Sequence, residues 1–326
     1  MSPRSTAARI GLLFLAIVSA TAPIRAEDDP FANFKQLDTT AKMPKLNAFS
    51  ATGLANQPAA DLREISMEAK LTSEGQPMEE GLSWRVFSPI PGADGKLPLV
   101  ASSEGGSARF QLAPGDYFVN VAFGRAGATK KLFVPQAGDV NKQVLVLDAG
   151  GIVLNAVSGP DVRIPPKELS FSIYSAEVRD DGERGLVMAD VDPGTVVRLN
   201  AGTYHVVSEY GDVNAVIRAD IQVEAGKLTE ATIQHRAAKI TLKLVADTGG
   251  EALADTAWSI LASSGDIVGE SVSAFPTMVL AEGTYTAIAK NKDKIYQRDF
   301  TVEAGHNTEV EVLMKAPKAA EDVEAD

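Results

Sequence analysis

The densest group of potential ligands in the chain is acidic. Asp180, Asp181, Glu183, Asp190 and Asp192 fall close together, with Arg184 among them. Carboxylates at this density suit a hard cation such as calcium, which gathers about six to eight oxygens from carboxylates and loop carbonyls. Asp190-x-Asp192 is the pair best spaced to share one ion. The spacing is not that of an EF-hand loop, however, and the matching positions elsewhere in the chain are not acidic. A glycosidase would need two of these groups facing each other across a sugar-sized cleft, and nothing in the pattern implies one. The plainer reading is a solvated loop, in which Asp180, Asp181, Glu183 and Arg184 are candidate contacts for a partner.

The other reactive residue types are sparse. The chain has three histidines, His205, His235 and His306, and no His-x-x-x-His spacing joins them. A metal or catalytic role is not expected of them. There is no Gly-x-Ser-x-Gly elbow, no Ser-x-x-Lys, and no phosphate or dinucleotide loop. Gly105-Gly106 and Gly249-Gly250 lie between strand-like runs, with no helix behind them to focus charge on a phosphate. Zero cysteines remove thiol nucleophiles, disulfide frameworks, Cys-ligated zinc and a cysteine-borne lipid anchor. No enzyme and no cofactor is expected.

The elements that carry these residues repeat. Phe110-Gln-Leu-Ala-Pro-Gly-Asp-Tyr117, Val197-Arg-Leu-Asn-Ala-Gly-Thr-Tyr204 and Met278-Val-Leu-Ala-Glu-Gly-Thr-Tyr285 align leucine, glycine and tyrosine, at spacings of 87 and 81 residues. Upstream, Trp84, Phe171 and Trp258 form a second column, 87 residues apart each time. A third landmark is a turn glycine at Gly138, Gly226 and Gly305, preceded twice by Val-Glu-Ala. Three landmarks in register establish an internal repeat. Within a copy, apolar residues alternate: Tyr117, Val119, Val121 and Phe123 on one side, Phe118, Asn120 and Ala122 on the other. That is the period of a strand with one wet face. Leu-x-x-Gly-x-Tyr then reads as strand, turn and strand. Six or seven short strands per copy are expected, packed as two sheets with the Trp/Phe/Trp column inside. The aligned tyrosines suit a ring held against a turn better than a sugar platform.

The third copy carries a family resemblance. It runs Ile240-Thr-Leu-Lys-Leu-Val-Ala, then Ala257-Trp-Ser-Ile260, Val279-Leu-Ala-Glu-Gly-Thr-Tyr285 and Phe300-Thr-Val-Glu-Ala-Gly305. It resembles the carboxypeptidase-regulatory-like or prealbumin-like sandwiches, and more distantly the collagen-adhesin B-type repeats. The resemblance implies an all-β chain of three tandem seven-stranded (Ig-like or prealbumin-like) sandwiches, used as spacer, stalk or binding module. Residues 62–149, 150–237 and 238–315 are the expected domains. The first two depart from the family by longer insertions, Pro89–Lys96 and Arg179–Val191. The adhesin likeness also implies a Lys–Asn cross-link, for which Lys243 and Asn307 are the candidates.

The ends of the chain read differently. Residues 1–26 have basic Arg4 and Arg9, an apolar run from Ile10 to Ala20, and small residues before Glu27. This is a secretory signal pattern, too short to span a bilayer. Residues 27–61 read as a linker and residues 316–326 as a disordered acidic tail. The formal charge is −12, and the first 26 residues hold three arginines and no acid, leaving about −15. Phosphate backbones repel such a surface, so nucleic acid is excluded as a partner. The reading is a non-catalytic interaction or scaffold module, exported to the periplasm or beyond, whose partner is an envelope protein. A carbohydrate- or matrix-binding stalk is the alternative, with polysaccharide as ligand, and a hydrolase comes last. The irregular insertions are the expected contact surface.

Overall fold

The computed structural model describes residues 62–314, so the expected signal segment, the linker and the tail lie outside the described residues. The first copy contributes β1 (Arg63–Lys70), β2 (Leu82–Phe87), β3 (Leu99–Gly105), β4 (Ala108–Leu112), β5 (Gly115–Phe123), β6 (Ala126–Val134) and β7 (Gln143–Val146). The second contributes β8 (Ala149–Ser158), β9 (Val162–Arg163), β10 (Leu169–Val178), β11 (Arg184–Val191), β12 (Val196–Asn200), β13 (Gly202–Tyr210), β14 (Ala215–Val223) and β15 (Leu228–His235). The third contributes β16 (Ala237–Val245), β17 (Thr256–Ala262), β18 (Ile267–Val272), β19 (Thr277–Ala281), β20 (Gly283–Asn291), β21 (Lys294–Val302) and β22 (Thr308–Leu313). A single 3-10 turn, Pro166–Glu168, is the one helical element among the described residues.

The strands form six sheets, and their order repeats. The sheets β4-β1-β7, β12-β8-β15 and β19-β16-β22 have three main strands each, the second also holding β9. The sheets β3-β2-β5-β6, β11-β10-β13-β14 and β18-β17-β20-β21 have four. In every copy the first strand pairs antiparallel with the strand that ends just before Gly115, Gly202 or Gly283 and parallel with the last strand. The parallel pairing closes each copy on itself, because its ends lie side by side in one sheet.

Buried side chains gather in three clusters, each drawn from both sheets of a copy. The first joins Ile65 and Met67 of β1 to Trp84, Val86, Val119 and Val121 of the facing sheet. The second is built on Ile152, Leu154, Phe171 and Val206, and the third on Ile240, Leu242, Trp258 and Ala287. Fully burying a large apolar side chain contributes roughly 1.5–3 kcal/mol. Such a core can hold a chain without disulfides. The Trp84, Phe171 and Trp258 column is wholly interior. Each indole N–H still finds an acceptor, Trp84 Nε1 on Gly106 O at 2.8 Å and Trp258 Nε1 on Ser273 O at 2.9 Å. Phe171 has no polar atom to satisfy and needs none.

The tyrosine column fixes the corner after the turn. Tyr117 Oη donates to Ala113 O at 2.9 Å, Tyr204 Oη to Asn200 O at 2.9 Å, and Tyr285 Oη to Ala281 O at 2.8 Å. The acceptor is four residues upstream in all three copies, a tyrosine-corner geometry. Burial raises the Tyr117 and Tyr204 hydroxyl pKa values above the ordinary phenol range, which keeps them as donors.

Successive copies are joined by turn-on-strand contacts. The β5–β6 turn of the first copy meets β12 of the second: Arg125 N donates to Arg198 O at 3.0 Å, and Asn200 exchanges bonds with Gly127 N and O, both at 3.1 Å. The β13–β14 turn of the second copy meets β19 of the third in the same way. Gly211 has φ +69°, and a Cβ there would stand 2.7 Å from Val279 Cβ. Only glycine permits that approach without displacing the neighbour. Val279 in turn belongs to the core cluster of the second copy. Lys239 Nζ reaches Glu168 Oε1 at 2.5 Å across the same junction.

Candidate functional site

The acidic segment folds as a hairpin. Arg179 N donates to Glu183 O at 2.8 Å, Gly182 N to Arg179 O at 2.9 Å, and Glu183 N to Asp181 Oδ1 at 2.9 Å. Only Arg179 to Glu183 is loop, and the expected insertion from Arg184 to Val191 is strand β11, paired with β10. This corrects the reading of that stretch as irregular. Its alternation is obscured by the register shifts that bulge the β10–β11 pair. Arg184 is turned back, its guanidinium donating to the Ala176 carbonyl. Asp190 sits at φ +52° near the end of β11, with Asp192 beyond it. Among the described residues, no three His, Asp or Glu side chains are placed to hold a metal ion. Asp180, Asp181 and Glu183 present an exposed acidic tip.

Both insertions occupy the same place in the repeat. Pro89–Lys96 lies in the β2–β3 connection and Arg179–Glu183 in the β10–β11 connection. The third copy closes that hairpin with the same five-residue turn as the second, Ala262 N to Asp266 O and Gly265 N to Ala262 O, each at 2.9 Å, so only Pro89–Lys96 is a longer connection.

The proposed cross-link pair does not meet. Lys243 Nζ is held by Glu309 Oε1 at 2.5 Å and Glu311 Oε1 at 2.9 Å. Those hydrogen bonds raise the ammonium pKa, and Lys243 lowers that of Glu311 in return. Asn307 Oδ1 accepts from Lys239 N at 2.9 Å instead. The β16–β22 register decides this, setting Lys243 opposite Glu311 and Ile240 opposite Thr308. Asn307 is thereby placed at the other end of the pair.

The histidines are separate. His205 Nδ1 lies 2.7 Å from Asp220 Oδ1 on the outer face of β13, and His306 is an exposed turn residue 3.8 Å from Glu303. His235 is wholly buried. Its Nε2 lies 2.8 Å from Ser208 Oγ, its ring meets Tyr210 edge-on at 5.9 Å, and its Nδ1 has no partner. Burial pushes its pKa down to about 4. A neutral imidazole facing one hydroxyl, away from any opening, is a core histidine. Nothing in the sequence around His235 marks it as buried.

The feature that separates the copies is the outer face of the first four-stranded sheet. Phe87 pairs with Phe118 and with Leu99, and Phe133 pairs with Asp116 on the next strand. All point away from Trp84 and Val119. Phe133 is 66% exposed, Leu99 51% and Ile90, in the adjoining insertion, 73%. In the second copy the places of Phe87, Phe118 and Phe133 are held by Tyr174, His205 and Gln222. In the third they are held by Leu261, Thr286 and Thr301. The same backbone thus carries three phenylalanines once and a mostly polar set twice, while the place of Leu99 is apolar in every copy, held by Leu186 and Ile267. The strand alternation that turned Tyr117 and Val119 inward already turned Phe118 outward. What it could not supply was the cross-strand register that adds Phe133 and Leu99.

A cleft of about 490 Å³ lies at the junction of the first two copies, lined by Met78, Glu79, Glu80, Gly81, Phe123 and Arg198. Arg198 stacks over the Phe123 ring at 4.6 Å. Its charged side chains are two carboxylates and one guanidinium.

A family described as the Rhizobiales growth-associated tandem repeat domain matches residues 239–314, which are the third copy. No curated protein matches the chain. Among solved structures, the Bacillus anthracis TIE protein is 17% identical over 78% of this chain and 51% of its own, with a TM-score of 0.23. This chain therefore spans about half of that one. A streptococcal ancillary pilin is 14% identical over 79% of this chain and 100% of its own, with a TM-score of 0.28. BcpA, the major pilin subunit of Bacillus cereus, is 11% identical over 78% and 100%, with a TM-score of 0.21. The third copy is similar to a growth-associated tandem repeat domain.

Proposed function

We propose that this chain is a non-catalytic, exported interaction module of the bacterial envelope, built of three sandwich domains (62–149, 150–237 and 238–315) of carboxypeptidase-regulatory-like type. It binds a protein partner through the outer sheet face of the first domain. The observation that carries this is the exposed Phe133, whose place is held by Gln222 and Thr301 in the other two copies, with exposed Leu99 and Ile90 on the same face. Exposed apolar groups of this kind mark contact surfaces, and a large apolar anchor at the centre of an interface carries much of its binding energy. The family that matches the third copy is described as growth-associated, and the partner on this reading is an envelope protein met in the periplasm. A second reading is a carbohydrate-binding stalk, favoured by the exposed Phe133 ring beside the Lys131–Asp116 ion pair.

The test is retention of envelope proteins by residues 27–326 and by a Phe133→Ser/Ile90→Ser variant of unchanged melting temperature. A protein retained by the first and lost from the second supports the proposal. Retention that survives this variant but is lost with Asp180→Asn/Asp181→Asn/Glu183→Gln moves the contact to the acidic hairpin and refutes it. Binding of soluble cell-wall polysaccharide, lost in the Phe133 variant, establishes the second reading instead.

A further inference from the structure

Each junction between copies is made by a hairpin turn that opens on a glycine. Gly124 follows β5 and Gly211 follows β13, at φ +64° and +69°. A Cβ on Gly124 would stand 3.0 Å from Arg198 Cβ, and one on Gly211 2.7 Å from Val279 Cβ, both in the next copy. The same place after β20 is held by Lys292, also left-handed at φ +54°. A side chain is strained in that conformation, and its Cβ would collide with a further copy seated as in the first two junctions. The turn of the third copy is built as an end surface.

The register across the four-stranded sheet gives the composition of this end. The row nearest the turn is Val272, Ala257, Lys290 and Ile295. The first copy has Glu104 in the place of Val272, and the second has Glu209 in the place of Lys290. Val272 is 80% exposed and Ile295 67%. Lys292 and Lys294 stand beside them, with Asp293 in the turn and Asp255 as the neighbouring acids. Among the described residues none of these three lysines is in an ion pair, whereas Lys131, Lys142, Lys227, Lys239 and Lys243 all are. A chain of formal charge −12 thus ends in exposed aliphatics among unpaired lysines.

A surface of the opposite kind lies on the same chain. The tip of the β10–β11 hairpin carries Glu177, Asp180, Asp181 and Glu183, and among the described residues no ion pair holds any of them. Val178 and Leu186 are exposed beside them. The apolar face of the first copy offers no such match, because the Lys131 charge at its edge is already met by Asp116.

We propose that the chain associates with a second copy of itself, the β10–β11 tip of one molecule seated on the Val272, Lys290 and Ile295 end of the other. Apolar contact at the centre supplies the affinity, and the surrounding charges fix the partner and the orientation. Exposed charges are screened beyond about 8 Å at physiological ionic strength, so the association weakens as salt is raised.

The test is sedimentation equilibrium of the mature chain (residues 27–326) over a range of protein and salt concentrations. Lys290→Glu/Lys292→Glu/Lys294→Glu and Asp180→Lys/Asp181→Lys/Glu183→Lys should each associate at least about tenfold more weakly than the wild type. Mixed in equal amounts the two variants should associate with each other as the wild type does, because each then meets the opposite charge. Both remain net negative, so overall charge does not draw them together. Val272→Ser/Ile295→Ser should weaken association and leave its salt dependence unchanged. All of these residues are exposed, and unchanged melting temperatures check that the variants fold. A wild type that stays monomeric, an association that survives either reversal, or a mixture that fails to recover overturns the proposal. Association lost only in Phe133→Ser/Ile90→Ser assigns the contact to the first copy and overturns it too.

Discussion

Lowering the pH should loosen the second copy through one residue. His235 is fully buried and its imidazole is neutral, with a pKa of about 4 against the ordinary 6.5. An unfolded chain takes up a proton on this residue near pH 6.5, and the folded chain does so only near 4. Across that window the unfolded state binds more protons, so stability falls as the pH falls. Each pKa unit corresponds to about 1.36 kcal/mol. Between pH 7.5 and 4.5 nearly two units of the shift are expressed, which gives a loss of about 2.5 kcal/mol from this residue. Ser208 Oγ cannot offset the loss. It already meets Nε2, and a proton added at Nδ1 would enter a site with no acceptor. Glu168 and Lys239, which act in opposite directions on the neighbouring Tyr210, are themselves an ion pair. The assay is urea denaturation at pH 7.5 and 4.5 of the wild type and of His235→Gln, which retains an amide for Ser208 but does not titrate. The carboxylates common to both proteins cancel in the comparison. The wild type should lose about 2.5 kcal/mol more than the variant over this interval. Equal losses, or an NMR titration of His235 with a midpoint near 6.5, would refute the reasoning.

The other structural predictions concern the tyrosine corners and the junctions. Tyr204→Phe removes one hydrogen bond and should cost about 1 kcal/mol in urea denaturation, whereas Tyr285→Phe removes two and also leaves Asn214 without an acceptor, at about twice that cost. Gly211→Ala sets a Cβ 2.7 Å from Val279 and strains a φ of +69°. It should destabilise by at least about 1 kcal/mol, with faster amide exchange in β19 and no change in β1. The same exchange rates in both strands would count against the junction geometry.

The sequence alone carried the repeat, its register and the inward face of each strand, because these follow from local rules. A period of two marks a strand with one wet face. A tyrosine two residues after a turn glycine marks a corner. An indole column at constant spacing marks a core that repeats. Those inferences needed no knowledge of which strand lies beside which. The absence of catalytic spacing was read in the same local way. The tertiary structure decided everything that depends on cross-strand neighbours and on contacts between copies. Lys243 faces Glu309 and Glu311 rather than Asn307 because the parallel β16–β22 pairing sets that register. Arg184 to Val191 is strand because β10 lies alongside to satisfy its backbone. Phe133 and Leu99 join Phe118 in one apolar face only when β3, β2, β5 and β6 are laid in order. His235 is an ordinary polar letter in the sequence. It becomes a titratable core residue because β13 brings Ser208 and Tyr210 against it. A single sequence records which way a side chain points along its own strand, but its neighbours are chosen by pairings tens of residues away.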